Sequence, residues 1–206
     1  MIVTSADKLN MTGHLQISKV VKGQEEVIFD DKNVIVSGFG WGLAYLFSKL
    51  GSTSITDFQI DRFQLGVSGS SANQVSSTYQ LSGPLSSLNE YTGGTGDSNL
   101  FVVSSAQYKN GTSTTSPTPW FGLIPYAKVT KVNDTSVRYT IFIDEDSCNN
   151  LSRSGSDANL NEIGLFMKNP RATSPEGSVL VAYKYFTNIR KTSDFGLLFR
   201  WTITFG

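Results

Sequence analysis

The last stretch of the chain alternates. Leu197, Phe199, Trp201, Ile203 and Phe205 fall on one side of an extended backbone; Leu198, Arg200, Thr202 and Thr204 fall on the other. Left in water, the first side would form an apolar stripe larger than a soluble monomer tolerates, so a second layer must cover it. The same period recurs upstream. Val137, Tyr139, Ile141 and Ile143 share a face, with Arg138 and Thr140 opposite. The segment Ala127 to Val132 alternates before it, and Asn133-Asp134 supplies turn-tolerant residues, so Ala127 to Ile143 reads as a hairpin. Near the start, Leu15, Ile17, Lys19 and Val21 alternate with Gln16, Ser18 and Val20. Lys22-Gly23 then turns the chain into Glu26-Val27-Ile28-Phe29, a second hairpin. Further strands are expected over Glu162 to Lys168 and Ser178 to Phe186.

One helix stands out. Ser37 is placed to cap it, Trp41 to Leu50 is rich in helix formers, and Gly51 follows where a terminating glycine belongs. Its apolar residues surround most of the axis, which predicts burial on several sides, by the sheet and by a neighbouring subunit. Between Ile55 and Leu65 the apolar phase slips, with Phe58 and Ile60 in one register and Phe63 and Leu65 in the other. A bulge near Asp61-Arg62 accounts for the slip. Segments Gly66 to Ser77, Tyr91 to Asn99 and Lys109 to Pro119 are rich in Ser, Thr, Gly and Asn, and Asp144 to Asn159 is a polar connection; all read as long loops. The expected fold is mainly β: an antiparallel, jelly-roll-like β-sandwich with one short buried helix and long Ser/Thr/Gly-rich loops. It forms a single domain over residues 1–206, with a loop-rich insertion at about 88–119.

The chemistry available is narrow. Among 206 residues, Lys plus Arg and Asp plus Glu both total 17, so the formal net charge is zero and a broad nucleic-acid surface is not expected. The single cysteine, Cys148, forms no intrachain disulfide; it lies in a polar loop and is expected to be accessible and unactivated. The single histidine, His14, has no nucleophile motif beside it, and Gly66-Val67-Ser68-Gly69 breaks the G-x-S-x-G pattern. Asp144-Glu145-Asp146 lacks the glycine of a calcium loop and reads as a solvated turn. Asp57, Asp61 and Glu90 have no identifying spacing. Gly38-Phe39-Gly40-Trp41-Gly42 is no phosphate-binding fingerprint, and its glycines suit close packing. The N-x-[S/T] triplets at Asn10, Asn110, Asn133 and Asn150 read as chance matches in a chain whose first residues, Met1 to Lys8, lack a signal-peptide core. No uncharged apolar run approaches the roughly 18 residues of a membrane helix. No catalytic, cofactor or metal residues are expected, and no membrane insertion.

Several phrases, in order, resemble a recurrent type of tailed-bacteriophage virion protein. They begin with Lys32-Asn33-Val34-Ile35-Val36 before the helix, then Phe63-Gln64-Leu65-Gly66-Val67-Ser68-Gly69, and Thr78-Tyr79-Gln80-Leu81-Ser82-Gly83-Pro84-Leu85, similar to a "T-x-L-x-x-P-L" phrase. Asn161-Glu162-Ile163-Gly164-Leu165-Phe166 is similar to an "E-x-G-L-F" strand. Leu180 to Phe186, Ile189-Arg190-Lys191-Thr192 and Leu198 to Phe205 resemble a closing strand pair around a lysine-containing turn. The resemblance implies a non-enzymatic β-sandwich of the neck, tail or baseplate, or a head-surface decoration, made in the bacterial host cytoplasm and assembled into the virion. Its partners would be other copies of itself and neighbouring virion proteins. Phe39, Trp41, Tyr45 and Phe47 are the expected helix-face anchors, and Trp120 and Phe121, in the Pro-rich loop, the expected contact residues. A second expectation is a carbohydrate-binding sandwich whose partner is a host-surface glycan, with Trp120, Tyr91, Tyr108 and Phe121 stacking on sugar rings. A third, a depolymerase, would rest on a single essential Asp or Glu.

Overall fold

The computed structural model of the protein describes residues 11–48, 55–67, 122–150, 152–153, 156–157, 159–167 and 179–206. The chain opens with a long hairpin, β1 (Met11–Val21) and β2 (Gln24–Ile35), turning through Lys22 and Gly23. Both turn residues have positive φ, 48° and 80°, the mirror-image turn whose twist matches two antiparallel strands. Helix α1 (Ser37–Ser48) follows, then a short helical turn (Ile55–Phe58) and β3 (Ile60–Gly66). After β4 (Gly122–Leu123) and a second helical turn (Tyr126–Lys128) come β5 (Val129–Asn133) and β6 (Ser136–Ile143). The short pair β7 (Ser152–Arg153) and β8 (Ser156–Asp157) precedes β9 (Leu160–Met167), β10 (Val179–Ile189) and β11 (Gly196–Phe205).

Nine strands are hydrogen-bonded in the order β4-β3-β9-β10-β2-β1-β11-β6-β5, with every pairing antiparallel. They fold into two layers at β2. Residues Gln24 to Asn33 pair with β1, whereas Val34 and Ile35 pair with Tyr183 and Ala182 of β10. One layer therefore holds β2, β1, β11, β6 and β5; the other holds β4, β3, β9, β10 and the end of β2. Their inner faces share one core. Leu15, Ile17, Tyr139, Ile141, Phe199 and Trp201 meet Phe63, Leu65, Ile163, Leu165, Val181 and Phe186 in it. Across the layers, the rings of Phe186 and Phe199 lie 6.2 Å apart.

The sandwich and the alternations of β6 and β11 are as expected. Leu197, Phe199, Trp201 and Ile203 are buried and Phe205 is partly buried, with Leu198, Arg200, Thr202 and Thr204 half-exposed between them. Register carries the pattern into β6: Phe199 faces Ile141, Trp201 faces Tyr139, and Ile203 faces Val137. The expected slip in β3 is a shift in pairing between Ile60 and Arg62. The hairpin β5–β6 turns at Asn133, whose Oδ1 accepts from the Thr135 amide at 2.9 Å.

Four expectations are corrected. In β1 the inward face stops at Ile17: pairing with β2 shifts between Ile17 and Ser18, so Ser18 is buried and Val21 exposed. Helix α1 begins at Ser37 rather than near Trp41, and within this chain one side of it is open: Phe47 is 82% exposed, and Ala44, Leu46 and Ser48 also face outward. The Asp144 to Asn159 connection contains β7 and β8 and tucks Ser147 and Cys148 inside. Cys148 is therefore not accessible. The expected strand of Glu162 to Lys168 begins at Leu160, and all eight residues of β9 are buried. That strand is interior on both faces, which places Glu162 inside the molecule. The insertion at about 88–119 lies outside the described residues.

Candidate functional site

Helix α1 closes one end of the sandwich. The chain leaves β2 with the Val36 amide donating to the Val181 carbonyl (3.1 Å), and the Phe39 amide donates to the Val36 carbonyl (3.1 Å). Gly42 sits against Met167, where any side chain would run into the thioether, so a glycine here does serve close packing. Phe39 turns inward, its ring 5.8 Å from that of Phe205 at the end of β11.

Beside Phe39 a cleft of about 420 Å³ opens to solvent. Its walls are the rings of Phe39, Phe58, Tyr126, Tyr139 and Phe205 with the aliphatic Ile60, Ile124 and Val129, and its polar residues are Gln59 and Asp61. Several distant segments build it. The Ile55–Phe58 turn and β3 bring Phe58, Gln59 and Asp61. The Ile124 amide donates to the Asp61 carbonyl at 2.8 Å, anchoring the crossing from β4 to β5 that carries Tyr126. Tyr126 is 94% exposed. Asp61 is held by the adjacent guanidinium of Arg62, with Nε to Oδ1 at 2.6 Å and Nη2 to Oδ2 at 3.0 Å. Burial pushes the Tyr139 hydroxyl up to about 12, so at neutral pH it keeps its proton.

A second, smaller groove of about 280 Å³ runs between β4 and β6, with Phe63, Leu123, Pro125, Lys128 and Phe142 among its walls. Leu123 is 70% exposed and Phe142 about half exposed. Phe47 on α1 and Ile55 (69% exposed) also place large apolar groups in water.

The buried ionisable groups have partners within the fold. Glu162 accepts a hydrogen bond from the Tyr183 hydroxyl at 2.8 Å. Lys184 reaches Asp31 Oδ2 at 2.7 Å and also the Lys32 carbonyl. That hydrogen bond, then one from the Lys32 amide, holds the Asp31 carboxyl below the usual carboxylate range. Lys191 donates to Asn149 Oδ1 (2.9 Å) and the Thr192 carbonyl (2.7 Å). Burial lowers its affinity for a proton, while the opposing charges of Asp144, Glu145 and Asp146 raise it. Those three carboxylates are exposed, as a solvated turn should be, and act as distant counterions to the buried ammonium. Burial pushes the Cys148 thiol up to about 12. His14 stands on the outer face, 2.6 Å from Asp30. Among the described residues no group of three or more His, Cys, Asp or Glu could hold a metal ion.

Of the expected contact residues, Phe39 lines the cleft and Phe47 projects into solvent. Trp41 and Tyr45 lie on α1, but their side chains are outside the described set; Trp120, Phe121, Tyr91 and Tyr108 lie wholly outside the described residues. Gln59 and Tyr126 do not stand out in the sequence; Tyr139 does so only as part of a strand's apolar face, and Lys191 only within a turn of the resemblance. Only the turn-forming Pro125 before an aromatic hinted at Tyr126. No helix among the described residues is long and apolar enough to cross a membrane. Compared with protein-family models, curated proteins and solved structures, the chain matches none.

Proposed function

We propose that this chain is a non-enzymatic assembly module of a tailed-phage virion, a connector or fibre-attachment piece of the neck, tail or baseplate. Its work is contact with other copies of itself and with neighbouring virion proteins. The carrying observation is the set of exposed apolar side chains, Phe47, Ile55, Leu123 and Phe142, on a framework whose buried charges serve the fold. Burying such groups between subunits is favourable by roughly 1.5–3 kcal/mol each, enough in combination to drive association. The ordered likeness of the sequence phrases to virion proteins supports the same reading.

The test is mass spectrometry of purified particles from the phage that encodes the chain, together with assembly of a Phe47→Ser, Leu123→Ser variant. Presence in intact virions and loss of incorporation by the variant are expected, with the isolated variant still folded by circular dichroism. Absence of the chain from intact virions would end the reading.

A further inference from the structure

The aromatic-lined cleft has a composition that subunit packing does not require. Its volume lies in the range of small-molecule sites, and its lining, five rings and three aliphatic side chains with two polar residues, is the kind of arrangement such sites use. Two features define the ligand. First, the charge at its rim is internally cancelled: both Asp61 oxygens are engaged by Arg62, so neither a cation nor an anion is called for. Second, the Asp61 side chain is still 35% exposed. A wholly apolar plug, such as a partner's leucine or phenylalanine, would strip water from that carboxylate without replacing its hydrogen bonds, which is unfavourable. A ligand with hydroxyl groups restores them. The ring face of the exposed Tyr126 is electron-rich and attracts the polarised C–H groups of a saturated ring. Gln59 offers both a donor and an acceptor, and the protonated Tyr139 a donor.

We propose that this cleft is a binding site for a neutral pyranose unit of a glycan, with Tyr126 as the stacking ring and Gln59 and Asp61 hydrogen-bonding the hydroxyls. The proposal does not rest on the assembly reading; either can fail alone, because they involve different side chains and different measurements.

The experiment is isothermal titration of the full chain with maltose, cellobiose, lactose and chitobiose up to tens of millimolar, and with the uncharged peptide acetyl-Phe-Leu-Phe-amide. Saturable binding of at least one disaccharide is expected. It should weaken roughly tenfold or more, about 1.4 kcal/mol, in Tyr126→Ala and separately in Gln59→Ala. Both residues are exposed, so both variants should keep the parent's circular dichroism and melting temperature. No binding by any of the four disaccharides overturns the proposal. So does sugar binding that both variants leave unchanged, and so does peptide binding that the sugars fail to displace.

Discussion

The indole nitrogen of Trp201 donates a hydrogen bond to Asn33 Oδ1 at 2.7 Å, reaching from β11 to β2 across the intervening strand β1. Gly13 lies between them, paired with Ile203 on one side and Asn33 on the other. A side chain on Gly13 would occupy the space of the Asn33 amide. The bond thus depends on an absent side chain. Asn33→Ala should leave a buried N–H without an acceptor and lower unfolding stability by about 1–3 kcal/mol. Gly13→Val should cost at least as much by displacing the amide. Urea denaturation of both variants and of the double variant checks this: a common cause predicts a double effect well short of the sum.

The register of β11 yields a paired prediction. Trp201→Asp puts a charge into the shared core and should prevent folding. Thr202→Asp, on the outer face between His14 and Arg138, should change stability by no more than about 0.5 kcal/mol. Soluble expression and melting temperature of the two variants provide the comparison; equal tolerance would refute the register.

Acid should weaken the protein in part through Asp31. Its folded-state pKa is depressed by Lys184, so its contribution is fully present above the ordinary carboxylate value and disappears as pH falls through the depressed one. Asp31 is more than half exposed, and solvent screening keeps the effect to about 1 kcal/mol or less. Asp31→Asn should therefore be less stable than the parent at pH 7 and indistinguishable from it in strong acid. Urea midpoints measured across that range test the convergence.

Lys191 ties the loop after β6 to the turn before β11, and the Asn150 amide donates to the Lys191 carbonyl at 2.9 Å. In Lys191→Met, amide exchange at Asn150 should quicken at least about tenfold. Cys148, blocked from a thiol reagent in the parent, should become reactive. The lowered proton affinity of Lys191 also fixes a sign. Between its depressed folded-state pKa and the ordinary lysine value the unfolded chain binds more protons, so the parent gains stability over Lys191→Met as pH rises through that window.

What the sequence disclosed follows from where water lies. Strands β6 and β11 have one wet face, so their alternation is written in residue type, and the slip at Asp61-Arg62 is visible as a change of phase. Strand β9 has no wet face. Its Asn161 and Glu162 look like surface residues, and the hydroxyl of Tyr183, distant in sequence, helps make the burial of Glu162 acceptable. The inward position of Cys148 is hidden in the sequence in the same way, since its polar loop is tied down by Lys191 and Asn149. Helix α1 is apolar around its axis, a pattern that gives no direction, so the inward turn of Phe39 and the outward turn of Phe47 were both beyond reading. The cleft was the least legible feature. Phe39 was marked in advance, but Gln59, Tyr126 and Tyr139 come together only through the crossing anchored by Ile124 and Asp61.

Strand β2 belongs to both layers, and this shapes the molecule's outline. Because Val34 and Ile35 carry the hydrogen-bonded row from one layer to the next, the nine described strands form one continuous row whose end strands are β4 and β5. The short crossing from Ile124 to Lys128 joins those end strands, and the groove containing Leu123 and Phe142 lies along the join. A strand added from another chain at either end of this row would lie beside Leu123 on one side or Lys131 on the other.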